Sequence, residues 1–125
     1  MAEGQLLVVD DEAEITALLA EHFRDCGYAV DIANNGADAL VLAASRRPDA
    51  VVLDITMPGP DGAEVLTRLL AVDPTIAVVM LTGNGDEDLA RRLLRAGAFD
   101  YVRKPFELDL LEGVVAAAVA VGRRF

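Results

Sequence analysis

Strand-forming and helix-forming patterns alternate five times along this chain, joined by short links, and that rhythm leaves few folds open. The runs 6–9, 50–53 and 76–81 are apolar throughout, without two-residue alternation, so each is expected to be covered on both faces. Ala29–Ala33 and Asp100–Arg103 read as two further strands. Between the strands, apolar residues recur at three- and four-residue steps. Ile15, Leu18, Leu19, His22 and Cys26 mark a first helix closed by Gly27, and Ala39, Leu40, Ala43 and Ala44 a second that stops by Pro48. Val65, Leu66 and Leu69 give a third, begun at Asp61-Gly62 and ended near Asp73-Pro74. Leu89, Leu93 and Leu94 give a fourth that ends at Gly97, and Leu111, Val114, Val115 and Ala118 a fifth. Five strands, each followed by a helix, call for a parallel sheet wrapped on both faces.

At 125 residues and 13.3 kDa the chain is read as one domain, 1–125, long enough to remove roughly two-thirds of its unfolded surface from water. Its 11 basic and 21 acidic side chains leave a net charge of −10, which argues against binding the phosphate backbone of nucleic acid. No apolar run approaches the roughly 20 residues of a membrane span. The lone Cys26 allows no internal disulfide, and no charged-then-apolar leader opens the sequence, so a reducing cytoplasm is the expected setting.

Parallel sheets of this kind bind ligands outside the carboxyl ends of their strands. That rule gathers Asp10, Asp11, Asp54, Thr82 and Lys104 on one edge, although they span the sequence. Like charges ~4 Å apart at an effective dielectric near 20 repel by on the order of 4 kcal/mol, so converging carboxylates need positive charge beside them. Lys104 supplies one charge, and a hard divalent cation suited by oxygen donors, Mg2+, supplies two. The expected ligands are Asp11, Asp54 and the backbone carbonyl of Thr56, with Asp10 acting through water. A carboxylate so equipped suits phosphoryl transfer: Asp54 as nucleophile, Lys104 and the metal balancing charge, and the Thr82 hydroxyl and Gly83 amide donating to the phosphoryl oxygens. Taken singly, Asp11 reads as a helix cap, Thr82 as a turn hydroxyl and Lys104 as a solvated charge. The combination is what gives them weight.

The same residues carry a resemblance. Val8-Val9-Asp10-Asp11-Glu12, Leu53-Asp54-Ile55-Thr56-Met57-Pro58, Asp61-Gly62, Leu81-Thr82-Gly83, Gly97-Ala98 and Lys104-Pro105-Phe106, in this order and spacing, resemble the receiver domain of two-component response regulators. The resemblance covers essentially the whole chain. It implies a flavodoxin-like, doubly wound α/β fold with five parallel strands in the order 2-1-3-4-5. It further implies that Asp54 takes a phosphoryl group, with Mg2+, from a sensor histidine kinase or phosphotransfer protein, or from a small acyl phosphate. The domain itself would be no enzyme beyond that self-catalysed transfer and slow autodephosphorylation. In the implied switch, Thr82 moves toward the phosphoryl group and Tyr101 turns inward, altering the face formed by the fourth helix, last strand and fifth helix. Thr56 and Asn84 stand at variable positions that tune the lifetime of the phosphoaspartate, and the Lys104-Pro105 bond is expected to be cis.

Residues 114–121 are all valine or alanine, more apolar than one core-facing stripe needs, which points to contact through that face with a second copy or an output domain. His22 is expected at a packed or boundary position and Cys26 as a small buried hydrophobe. Rival readings fare less well. A flavin or dinucleotide module needs glycines or hydroxyls after the first strand, where Asp10-Asp11-Glu12 would repel phosphate. A haloacid-dehalogenase-type phosphohydrolase would need its second acid at Thr56. A degenerate receiver, acting as an interaction module without phosphorylation, is the remaining alternative.

Overall fold

The strands are β1 (Gln5–Val9), β2 (Ala29–Ala33), β3 (Ala50–Asp54), β4 (Ala77–Thr82) and β5 (Asp100–Arg103), paired in parallel in the order β2-β1-β3-β4-β5. This is the flavodoxin-like order. The computed structural model describes residues 4–57, 62–83 and 85–123, so Pro58, the expected helix start at Asp61, and Asn84 lie outside the described residues. The helices among them are α1 (Ala13–Asp25), α2 (Gly36–Arg46), α3 (Gly62–Val72), α4 (Glu87–Arg95) and α5 (Leu108–Gly122).

Side chains along a strand alternate between faces. Leu7, Val9, Val51, Leu53, Val78 and Met80 therefore join α2, α3 and α4 in one core layer, whereas Leu6, Val8, Val52, Val79 and Leu81 join α1 and α5 in the other. Because both layers are filled, the central strands show no alternation in sequence.

Helix faces deviate from the sequence reading where small or polar residues go inside. On α1 the buried residues are Thr16, Leu19, Ala20 and Phe23, while Ile15 is half-buried and Leu18 is 52% exposed. Thr16 can be buried because its hydroxyl donates to the Ala13 carbonyl (3.0 Å) and accepts from Asn34 Nδ2 (3.2 Å). On α2, Ala39 and Ala43 are buried, Leu40 is half-buried and Ala44 is exposed. On α4, Leu93 is buried, whereas Leu89 and Leu94 only pack against the core edge around buried Ala90. α5 buries Leu111, Val115, Ala118, Val119 and Gly122, with Val114 half-buried.

Caps match the local chemistry. Asn35 Oδ1 accepts from Asp38 N–H (2.8 Å) at the start of α2, and Gly27 (φ 101°) and Gly97 (φ 119°) follow the ends of α1 and α4 in the left-handed region that favours glycine.

The amino-terminal edge of the sheet is tied at Asp49. Its carboxylate accepts from Gln5 N–H (2.8 Å), its N–H donates to the Gln5 carbonyl (2.8 Å), and its carbonyl accepts from Ala77 N–H (3.2 Å). Gly122 of α5 packs against this backbone so closely that a Cβ would overlap the Asp49 carbonyl. No helix among the described residues is long and apolar enough to cross a membrane.

Candidate functional site: an acidic rim at the carboxyl edge of the sheet

Register alone brings the rim together. Val9 pairs with Leu53, so Asp10 and Asp54 follow on adjacent strands; Asp54 pairs with Leu81, and Thr82 is next; Thr82 pairs with Arg103, and Lys104 is next. The Lys104 N–H donates to the Thr82 carbonyl (2.8 Å), which extends the β4–β5 ladder by one step, and the Lys104-Pro105 peptide is cis. The rim flanks β1, where strand order reverses, the usual place for a ligand crevice.

Lys104 joins the two buried acids. Its Nζ donates to Asp54 Oδ2 at 3.1 Å and stands 3.8 Å from Asp10 Oδ2. Asp10 is fully buried and Asp54 is 2% exposed. Asp10 Oδ1 accepts from the Glu12 N–H (3.0 Å), but Oδ2 has no hydrogen-bond partner and is the single buried side-chain atom of that kind among the described residues. Burial pushes the Asp10 carboxyl up to about 6; the Glu12 N–H opposes that shift, the Asp54 charge adds to it and Lys104 opposes it.

An orphaned, buried carboxylate oxygen beside two more acids is a site that wants a cation. Oxygens of Asp10, Asp11 and Glu12 lie within 4.8 Å of one another, with Asp11 and Glu12 exposed to solvent. All are hard donors, which fits an alkaline-earth ion better than a soft metal. Glu12, read from sequence only as part of the acidic loop, joins this cluster.

Thr56 holds Asp54 in a way that sequence reasoning missed. Both its N–H (2.9 Å) and its hydroxyl (2.6 Å) donate to Asp54 Oδ1. The signal was present as Asp-x-Thr, because Asp73 and Thr75 repeat the same double bond, and there the Thr75 donors hold the Asp73 carboxyl below its ordinary range.

Thr82 is buried at the rim. The Gly83 N–H instead donates to Asp86 (3.0 Å), so that amide is engaged. Tyr101 is half-buried and packs against the α2–α3–α4 layer, paired in register with Met80. His22 sits at a boundary as expected, but Cys26 is half-buried rather than buried, because it caps α1 beside the His22 ring (Sγ to Nε2 3.9 Å).

Comparison with known proteins narrows what such a rim serves. Residues 6–116 match the response regulator receiver domain family. The chain is 37% identical to sporulation initiation phosphotransferase F of Bacillus subtilis (strain 168), covering 92% of this chain and 93% of that protein. It is 39% identical to the regulatory protein AtoC of Escherichia coli (strain K12), covering 94% of this chain but 26% of that longer relative. The receiver domain of NtrX from Brucella abortus superposes with a TM-score of 0.87 at 36% identity, covering 92% of this chain and 98% of that one. The strand order, the acids and lysine at its carboxyl edge, and these likenesses agree: the chain belongs to the response regulator receiver domains of two-component signalling.

Proposed function

We propose that Asp54 is the phosphoacceptor of this receiver. The observation that carries the reading is the Lys104 ammonium 3.1 Å from Asp54 Oδ2 at the carboxyl edge of the sheet. An Asp54 oxygen attacks phosphorus, the bond from phosphorus to the donor's leaving atom breaks, and the leaving group departs with its electron pair. Lys104 then faces an acyl phosphate instead of a bare carboxylate, and buried Thr82 offers its hydroxyl to the new oxygens.

Asp10, Asp11 and Asp54, with the Thr56 carbonyl, would hold Mg2+, and the ion when bound neutralises charge on the transferred group. The phosphodonor is a histidine kinase or phosphotransfer protein. The face read by the next partner, an output domain or a second copy, is formed by α4, β5 and α5, with Thr82 and Tyr101 as its levers. Residues 1–125 act as one receiver domain in the cytoplasm.

With acetyl phosphate and magnesium, intact-mass measurement is expected to show one phosphoryl group on the parent and none on Asp54→Asn. Equal labelling of both would refute the assignment, and no labelling of either would favour a degenerate interaction module. Thr56→Ala frees Asp54 Oδ1 of one hydrogen bond worth about 1 kcal/mol, so its labelling by acetyl phosphate is expected to be roughly fivefold faster. A slower rate would mean that the hydroxyl assists the transfer.

A further inference from the structure

On the sheet face covered by α1 and α5, three side chains of mixed donor type converge. His22 and Cys26 are four residues apart at the end of α1 and so lie on the same side of the helix, and Glu112 comes from α5, ninety residues further on. His22 Nε2 is 3.2 Å from Glu112 Oε2 and 3.9 Å from Cys26 Sγ, and the three ligand atoms all lie within 4.8 Å of one another. This group shares no residue with the acidic rim.

The spacing is close to that of a coordination sphere. With zinc bonds of about 2.0–2.1 Å to N and O and about 2.3 Å to S, tetrahedral edges are about 3.3 Å between N and O and about 3.6 Å to S. The N to O separation already matches, and the sulfur needs to move by a fraction of an ångström to about one. Phe23 stands edge-on to the His22 ring (centroids 5.2 Å apart), which limits how the imidazole can tilt. Access is open, since the His22 and Glu112 side chains are 24% and 45% exposed, and a surface pocket bordered by Cys26, Tyr28, Glu112 and Ala116 leaves room for a solvent ligand. Imidazole, thiolate and carboxylate together select a borderline-soft ion, whereas magnesium prefers the all-oxygen rim.

We propose that His22, Cys26 and Glu112 form a zinc-class metal site with three protein ligands and one solvent position, which fastens α1 to α5. Binding forms one bond each to Nε2, Sγ and a Glu112 oxygen, releases the Cys26 thiol proton to solvent, and leaves the neutral imidazole of His22 with its proton on Nδ1 in place of Nε2.

Cobalt(II) titrated into the whole chain, with magnesium in excess, is expected to give the sulfur-to-cobalt charge-transfer absorption of a thiolate site, saturating at one equivalent and bleached by zinc. Cys26→Ser, nearly isosteric, should abolish the band and weaken zinc binding by about 10- to 100-fold or more in competition with a chromogenic chelator, and Glu112→Gln should weaken it comparably. Asp11→Asn should leave the band intact. A missing band in the parent, unchanged zinc affinity in Cys26→Ser, or saturation at half an equivalent with dimer formation would overturn the site and leave the His22–Glu112 contact as a hydrogen-bonded strut.

Discussion

Gly122→Ala is expected to lower the stability of this domain by about 2–3 kcal/mol, although alanine ordinarily favours a helix by up to ~1 kcal/mol over glycine. The reason lies at the amino-terminal edge of the sheet. A Cβ at Gly122 would overlap the Asp49 carbonyl oxygen and stand 2.8 Å from its carbonyl carbon. That backbone cannot retreat, because Asp49 exchanges bonds with Gln5 on β1 and accepts one from Ala77 on β4. α5 must therefore lift at its end, which loosens Val119 and Ala118 from the core. In urea unfolding the midpoint should fall, and the melting temperature should drop by roughly 10 °C. Gly113→Ala in the same helix has the opposite sign: nothing lies within 4 Å of its Cβ, and about 0.5–1 kcal/mol should be gained. Equal effects at the two glycines would show that helix propensity, and not the Asp49 contact, governs both.

Asp10→Asn is expected to stabilise the metal-free protein, by about 1–3 kcal/mol above pH 7, because it removes a buried charge whose Oδ2 has no hydrogen-bond partner. The sign follows from linkage. The Asp10 carboxyl is pushed up to about 6 in the folded chain against 3.8 for its ordinary value, so the unfolded state releases its proton first as pH rises. Its contribution to stability is fully present below about 3.8 and is lost as pH rises through about 6. Asparagine does not titrate. The advantage of Asp10→Asn should therefore be small at pH 4, grow to pH 6 and level off above pH 7. The variant keeps an acceptor for the Glu12 N–H, so the loop after β1 retains its turn. Magnesium should raise the melting temperature of the parent and leave that of Asp10→Asn almost unmoved. A parent more stable than Asp10→Asn at pH 8 without metal would mean that Lys104, 3.8 Å away, compensates Asp10 fully.

Strand positions were the most legible part of this fold. Residues 50–53 and 77–81 are buried at every position, and a run without a polar break can be read directly. Helix faces were less so, because periodicity weighs residues by type: Thr16 and Ala20 lie inside while Leu18 lies outside. Buried Thr16 accepts a bond from Asn34 on the loop after β2, which no local pattern announces. On α5 every residue from 114 to 121 is apolar, so hydrophobicity cannot distinguish buried Val119 from half-buried Val114.

At the rim, the convergence of Asp10, Asp54 and Lys104 follows from a topological rule applied to strand ends, and was readable for that reason. The Thr56 hydroxyl, the Asp86 carboxylate on the Gly83 amide and the place of Glu12 in the acid cluster depend on turn geometry within three residues. The His22–Glu112 contact joins helices 90 residues apart and is set by how α1 and α5 pack on the sheet.

The Asp49 tie has a mechanical consequence. One end of the sheet is laced across three strands at a single residue and backed by a helix with no slack, whereas at the other end backbone bonds such as Lys104 N–H to the Thr82 carbonyl run beside a buried oxygen that has no hydrogen-bond partner. Local opening follows the cheapest path, so hydrogen exchange is expected to begin around that orphaned oxygen and to reach the Asp49 tie last.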